Sequence, residues 1–126
     1  MKILVVDDEQ DMMALFKQAF RHEIRAGLFE FSFKFSGETA LAFLHECEDK
    51  HEAILILSDI NMPGMSGLEL LRRIRANTPT PPPVVMMITA YGDKSSYDYA
   101  MRLGADDLLH KPLDFKILRE KLTNLL

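Results

Sequence analysis

Ala53-Ile54-Leu55-Ile56-Leu57-Ser58-Asp59-Ile60-Asn61-Met62-Pro63-Gly64-Met65-Ser66-Gly67 passes from an unbroken apolar run, through an acid, into a loop set by proline and glycine. The run 53–57 is the most continuously apolar in the chain, which makes it the best candidate for a central strand of a sheet. The loop gives way at once to Leu68-Glu69-Leu70-Leu71-Arg72-Arg73-Ile74, whose apolar spacing is helical. Strand, acid, loop and helix form a unit that recurs on both sides of this segment.

Toward the N-terminus, Ile3-Leu4-Val5-Val6 is a short buried strand bounded by Asp7 and Asp8. Residues 9–24 place Met12, Met13, Leu15, Phe16, Ala19 and Phe20 at helical spacing and predict one helix. Phe29, Phe31, Phe33 and Phe35 alternate with Glu30, Ser32 and Lys34, a strand with one wetter face and hence a sheet edge. Ser36 is a candidate N-cap for a helix over 38–46, with Leu41, Ala42 and Leu44 on its apolar face. Toward the C-terminus, 78–83 reads as a stiff proline-rich surface loop too short for a domain boundary. A strand over 84–88 ends at Thr89-Ala90, and a helix over 94–103 stops at Gly104. A short fifth strand over 107–110 is ended by Lys111-Pro112, and Asp114 caps a last helix carrying Phe115, Ile117, Leu118 and Leu122. Five β-α units in series predict an α/β fold with a parallel sheet and helices on both faces.

With 126 residues, 48% of them hydrophobic, the chain is one domain with a real core, residues 1–126. No apolar run is long enough to span a bilayer, and the N-terminus lacks the features of a signal peptide. The single cysteine, Cys47, forms no internal disulfide, which fits a reducing cytoplasm. A net charge of −4 argues against nucleic acid, and the same balance makes the phenylalanine stripe core packing rather than a platform for bases. Arg72, Arg73 and Arg75 read as cations at a helix C-terminus. His22, His45, His51 and His110 show no metal-ligand spacing, and the eight methionines read as adaptable core filler.

Ligands of an open parallel sheet bind at the carboxyl ends of its strands. Asp7, Asp8 and Glu9 follow the first strand, Asp59 and Asn61 the third, Thr89 the fourth and Lys111 the fifth. Asp7, Asp8 and Asp59 on one rim repel one another unless a cation sits among them. Hard oxygen ligands without His or Cys select Mg²⁺ or a similar ion over zinc, and Mg²⁺ leaves a carboxylate free as a nucleophile. Lys111 would offset charge on a phosphoryl group and Thr89 would donate its hydroxyl to it. Adjacent strand residues face opposite ways, so Asp7 and Asp8 reach one site only if the first strand ends between them.

Four segments carry a resemblance over nearly the whole chain: Val5-Val6-Asp7-Asp8-Glu9, Ser58 to Gly67, Ile88-Thr89-Ala90 and His110-Lys111-Pro112. They resemble the receiver domain of two-component response regulators, the CheY-like family. The resemblance implies a doubly wound (βα)₅ fold with strand order 2-1-3-4-5. It implies that Asp59 receives a phosphoryl group from a phosphohistidine on a sensor histidine kinase or phosphotransfer protein. Asp8, Asp59 and the Asn61 carbonyl would hold Mg²⁺, with Asp7 acting mostly through water, and Thr89 and Lys111 would contact the phosphoryl group. Phosphorylation would repack the face of the fourth helix, fifth strand and fifth helix, which then dimerises or binds an output domain or target. Leu108 stands where the family usually has an aromatic switch residue, so no ring is available to swing there. Tyr91, two residues after Thr89, would either shield the phosphoryl group from water or simply cover the loop.

Three other readings stand beside this one. A phosphatase of the haloacid dehalogenase type needs a second acid two residues after its nucleophile, and Asn61 occupies that place. A binding module that is never phosphorylated would usually lack one of the acids or the lysine, and all are present. The chain could also be a free-standing switch or the N-terminal part of a larger regulator.

Overall fold

A computed structural model of the chain describes residues 1–46, 54–76, 83–90 and 94–126. Cys47, His51, most of the proline-rich connection and Tyr91 lie outside the described residues. The elements run β1 (Lys2–Val6), α1 (Asp11–Ala19), α2 (Arg21–Arg25), β2 (Glu30–Lys34), α3 (Gly37–Glu46), β3 (Ile54–Asp59), α4 (Gly67–Ala76), β4 (Val84–Ala90), α5 (Lys94–Leu103), β5 (Asp107–Lys111) and α6 (Phe115–Thr123). All five strands are parallel, in the order β2-β1-β3-β4-β5. The most apolar run therefore sits at the centre of the sheet and the phenylalanine-rich strand at its edge, as their patterns predict.

Alternation along the strands divides the core into two. Leu4, Val6, Ile56, Val85, Met87 and Leu108 face the layer of α3, α4 and α5, where they meet Ala40, Leu70, Leu71, Ile74 and Ala100. Ile3, Val5, Leu55, Leu57, Met86, Ile88 and Leu109 face α1 and α6 through Phe16, Phe20, Leu118 and Leu122. Phe29, Phe31 and Phe33 join this second layer, their rings 5.4–6.2 Å from those of Phe16, Phe20 and one another. These three rings are core, while Phe35, the last of the stripe, is 37% exposed and stands outside it. Leu108, 9% exposed, fills the first layer, so a buried aliphatic stands where an aromatic switch would be.

The local signals are equally direct. Ser36 Oγ accepts the Thr39 N–H, and Asp114 Oδ1 accepts from Lys116 and Ile117, so both predicted caps close their helices. Arg72 and Arg73 pair with Glu69, whose carboxylate they lower to about 2, while Arg75 bonds the Gly104 and Pro83 carbonyls and Asp106. The basic cluster is thus spent on helix surface and strand-end ties.

One prediction fails. The single helix over 9–24 is two, broken at Phe20, which adopts φ −110° and ψ 22°. The break is supported from the far end of the chain. Arg119 of α6 donates Nη2 to the Ala19 carbonyl, which an unbroken helix would spend on its own next turn, and Nε to Glu23 Oε2 at 2.9 Å. Its guanidinium also lies 5.1 Å from the centre of the Phe20 ring, a fully buried side chain. Arg119→Ala strips all three contacts and leaves Glu23, whose Oε1 is buried without a hydrogen bond, unpaired. Urea denaturation should show a loss of about 1–2 kcal/mol, reduced from a deep-buried value because the arginine is part-exposed.

Candidate functional site

The carboxyl ends of β1, β3, β4 and β5 bring the chemistry together. β1 stops at Val6, and the Asp7 N–H makes one last bond to the Lys34 carbonyl at 3.1 Å. Past that point the strand alternation no longer holds, so Asp7 and Asp8 both reach the rim: Asp7 is 2% exposed and Asp8 is exposed. Asp59 is the last residue of β3 and 4% exposed. The carboxylates of Asp7, Asp8 and Asp59 each offer an oxygen within 4.8 Å of the others.

Lys111, at the end of β5, reaches across the rim to this cluster. Its Nζ lies 2.8 Å from Asp59 Oδ2, 3.6 Å from Asp7 Oδ2 and 4.0 Å from Glu9 Oε1. Asn61 joins through its backbone, its N–H donating to Asp59 Oδ1 at 3.3 Å. Thr89 is fully buried in β4, one residue beyond Ile88, the register partner of Asp59. Its Oγ1 has no hydrogen-bond partner among the described residues. His110, on the opposite face of β5 from Lys111, stays out of the cluster. The six predicted positions thus stand at one rim of the sheet, with the Thr89 hydroxyl making no hydrogen bond among the described residues.

Glu9, which the sequence places after the first strand without a role, takes one here. Its backbone N–H holds Asp7 Oδ1 at 2.9 Å and its carboxylate faces Lys111. Fixing one oxygen of Asp7 in this way leaves Oδ2 buried with no hydrogen bond.

Burial pushes the Asp7 carboxyl up from its ordinary value. The Glu9 amide and Lys111 pull it back only in part, and the neighbouring Asp59 and Glu9 charges add to the rise. Lys111 goes the other way about. Burial would lower its ammonium, but the hydrogen bond and charge of Asp59, with Asp7 and Glu9, raise it overall. Two buried acids are therefore held by a single ammonium, and one acid oxygen remains orphaned.

That donor set fits a divalent cation. Three carboxylates converge, one exposed and two buried, with no His or Cys among them, which suits a small hard ion such as Mg²⁺ that keeps some of its water. Without the ion the same acids cost stability. Asp7→Asn should stabilise the metal-free protein by about 1 kcal/mol while weakening its response to Mg²⁺, a trade of function against stability. The sign follows from the raised carboxyl. The penalty is present above the folded value and disappears as pH falls through it toward 3.8, so the advantage of the variant shrinks in acid. Thermal denaturation of both proteins in chelator between neutral and acid pH measures it.

Comparison with known proteins agrees with this geometry. The profile of the response regulator receiver domain matches residues 3–123. The chemotaxis protein CheY of Pseudomonas aeruginosa is 33% identical over 122 residues, 97% of this chain and 93% of that protein. The transcriptional regulatory protein CpxR of Klebsiella pneumoniae is 35% identical over 113 residues, 90% of this chain but 44% of that protein. The chain thus spans less than half the length of some relatives and nearly the whole of others. A crystal structure of a response regulator receiver domain protein from Clostridium thermocellum, 30% identical, superposes with a TM-score of 0.79 over 98% of this chain and 91% of that one. A match from Ile3 to Thr123, strand order 2-1-3-4-5 and an acid-and-lysine rim at the carboxyl ends of β1, β3 and β5 lead to one conclusion: the chain belongs to the receiver domain family of response regulators.

Proposed function

We propose that residues 1–126 form one phosphoacceptor domain in which Asp59 takes a phosphoryl group from a phosphohistidine of a sensor histidine kinase or phosphotransfer protein. The observation that carries this reading is the ammonium of Lys111, 2.8 Å from Asp59 Oδ2 at a rim shared with two further acids. A carboxylate oxygen of Asp59 attacks phosphorus, the P–N bond of the donor breaks, and the imidazole nitrogen leaves with the bonding pair and regains a proton from solvent. Lys111 releases Asp59 Oδ2 and turns its charge to the phosphoryl oxygens. The Thr89 hydroxyl, buried without a partner, is available to donate to the same group. Asp8, Asp59 and the carbonyl of Asn61 would hold the cation, with Asp7 acting mostly through water. Bound Mg²⁺ supplies charge neutralisation of the phosphoryl oxygens and of the acid cluster.

The chain is a signalling switch rather than an enzyme with an external substrate, and its output follows from a change in the face made by α5, β5 and α6. That face would bind an output domain, a target protein or a second copy of the chain. Among the described residues no helix is long and apolar enough to cross a membrane. A cytoplasmic setting suits a single-cysteine acidic chain of this kind.

The competing reading, a binding module that is never phosphorylated, is separated by one experiment. Beryllofluoride with Mg²⁺ imitates an aspartyl phosphate. Added to the ¹⁵N-labelled protein it should shift the amides of Thr89, Asn61 and Lys111 and leave Asp59→Asn unchanged. A spectrum indifferent to the mixture would favour the binding module.

A further inference from the structure

The loop over 60–66 follows the proposed phosphoacceptor directly, and its two ends are held by backbone. The Ile60 N–H bonds the Ile88 carbonyl at 2.9 Å, and the Gly67 N–H bonds the Ile60 carbonyl at 2.8 Å. Its middle is held by a side chain from another element. Glu38, in the first turn of α3, accepts the Met65 N–H on Oε1 at 2.6 Å. The same oxygen lies 3.0 Å from where a Cβ of Gly64 would stand, and Gly64 has φ +73°, so the carboxylate sits directly against the turn of the loop. Gly37 brings the start of α3 equally close: a Cβ there would meet the Met65 side chain at 3.0 Å and its carbonyl at 3.1 Å. The Met65 amide, with a lesser part from the backbone N–H of Glu38 itself, lowers the Glu38 carboxyl below its usual range.

This is a charged hydrogen bond at the surface with no place in packing. Glu38 is exposed, and the bond crosses from α3 to the loop that carries Asn61. A loop whose backbone must present one carbonyl to a small, geometrically demanding cation gains from being fixed at both sides of that carbonyl. Asn61 is fixed on one side by its bond to Asp59 Oδ1. Met65 is the next tie along the loop.

We propose that Glu38 is a positioning residue for the cation site, holding Met65 so that the Asn61 backbone is presented to the metal before it arrives. The inference rests on the phosphoacceptor reading only in that it takes the cation to be Mg²⁺. It needs no phosphoryl transfer to be tested. Outer-shell partners of metal ligands typically contribute about 10–100-fold to affinity, and this exposed tie belongs at the lower end of that range.

The test is Mg²⁺ titration of the full chain followed by calorimetry and by the amide signals of Asn61 and Met65, for wild type, Glu38→Ala and Glu38→Gln. Glu38→Ala should bind Mg²⁺ about 10-fold more weakly, with faster hydrogen exchange at Met65 in the metal-free protein. Glu38→Gln keeps the acceptor and should recover most of the affinity. Wild-type Mg²⁺ affinity in Glu38→Ala would overturn the proposal, whether or not Met65 exchanges faster, because the bond would then be a structural tie alone. Loss of affinity in Glu38→Gln equal to that in Glu38→Ala would also overturn it, because the effect would then be one of bulk charge. If the wild type binds Mg²⁺ yet takes up no phosphoryl group, the phosphoacceptor reading fails while the comparison among these three proteins still decides the role of Glu38.

Discussion

Gly67→Ala should lower stability by about 3 kcal/mol or more, although it adds one methyl group and touches no charge. Gly67 opens α4 where the loop from Asp59 folds back on its own strand. A Cβ there would lie 1.9 Å from the Asp59 carbonyl oxygen and 2.8 Å from the Asp59 carbonyl carbon and the Ile60 Cα. All three are backbone atoms of the central strand and its exit, so no side-chain rotation relieves the clash. Its φ is not in the left-handed region, and helix propensity alone would favour alanine by at most about 1 kcal/mol. Steric overlap outweighs that preference. Gly27→Ala is the informative control, since Gly27 has φ +75° but open space around its Cβ position and should lose only about 1–2 kcal/mol. Urea midpoints at unchanged m-value order the two variants, and equal losses would mean that close approach at Gly67 is relieved by a loop shift.

Lys111→Ala should reduce phosphoryl uptake about 100-fold at saturating Mg²⁺, the scale on which one preorganised donor to a developing charge acts. Lys111 is the only cation within 4.0 Å of Asp59 among the described residues. In the metal-free protein its removal also strands two buried acids, so Lys111→Ala should be destabilised in chelator and should recover more than wild type on adding Mg²⁺. The pH course separates the two roles. Lys111 is raised above 10.5 in the folded protein, so its contribution is complete below that value and is lost only as pH rises through the folded one. For the Lys111 ammonium alone the stability gap between wild type and variant is flat across neutral pH, and it narrows in acid, where Asp7, whose carboxyl Lys111 pulls down, protonates more readily in the variant. A gap that did not change from neutral pH into acid would mean that Lys111 does not act on Asp7.

The sheet was legible because each strand is apolar in its own way. Unbroken 53–57 can only be central, and alternating 29–35 tolerates an edge. The rim where the candidate residues meet was legible for the same reason, since parallel topology gathers whatever stands at the carboxyl end of each strand, and Asp7, Asp59, Thr89 and Lys111 stand at four such ends. Asp7 and Asp8 illustrate what spacing leaves open. Neighbours in sequence, they differ in burial because β1 ends at Val6, a fact set by pairing with β2 and β3. The helix break at Phe20 was not legible at all. Its apolar spacing is perfectly helical, and the residue that satisfies the freed Ala19 carbonyl lies at Arg119, on the last helix. Glu38 was hidden in the same way: in sequence it is an ordinary first-turn acid, and only the approach of α3 to the loop after β3 gives it a partner. Long-range polar ties carry no periodicity, so sequence patterns of burial do not report them.

The central claim is that Asp59 accepts a phosphoryl group with the help of a cation held by its neighbours. The intact mass of the chain after incubation with acetyl phosphate and Mg²⁺ tests it most directly. One added phosphoryl group is predicted for wild type, none for Asp59→Asn and none when the cation is removed by chelation. Uptake of the same mass by Asp59→Asn, or by wild type in chelator, would contradict it.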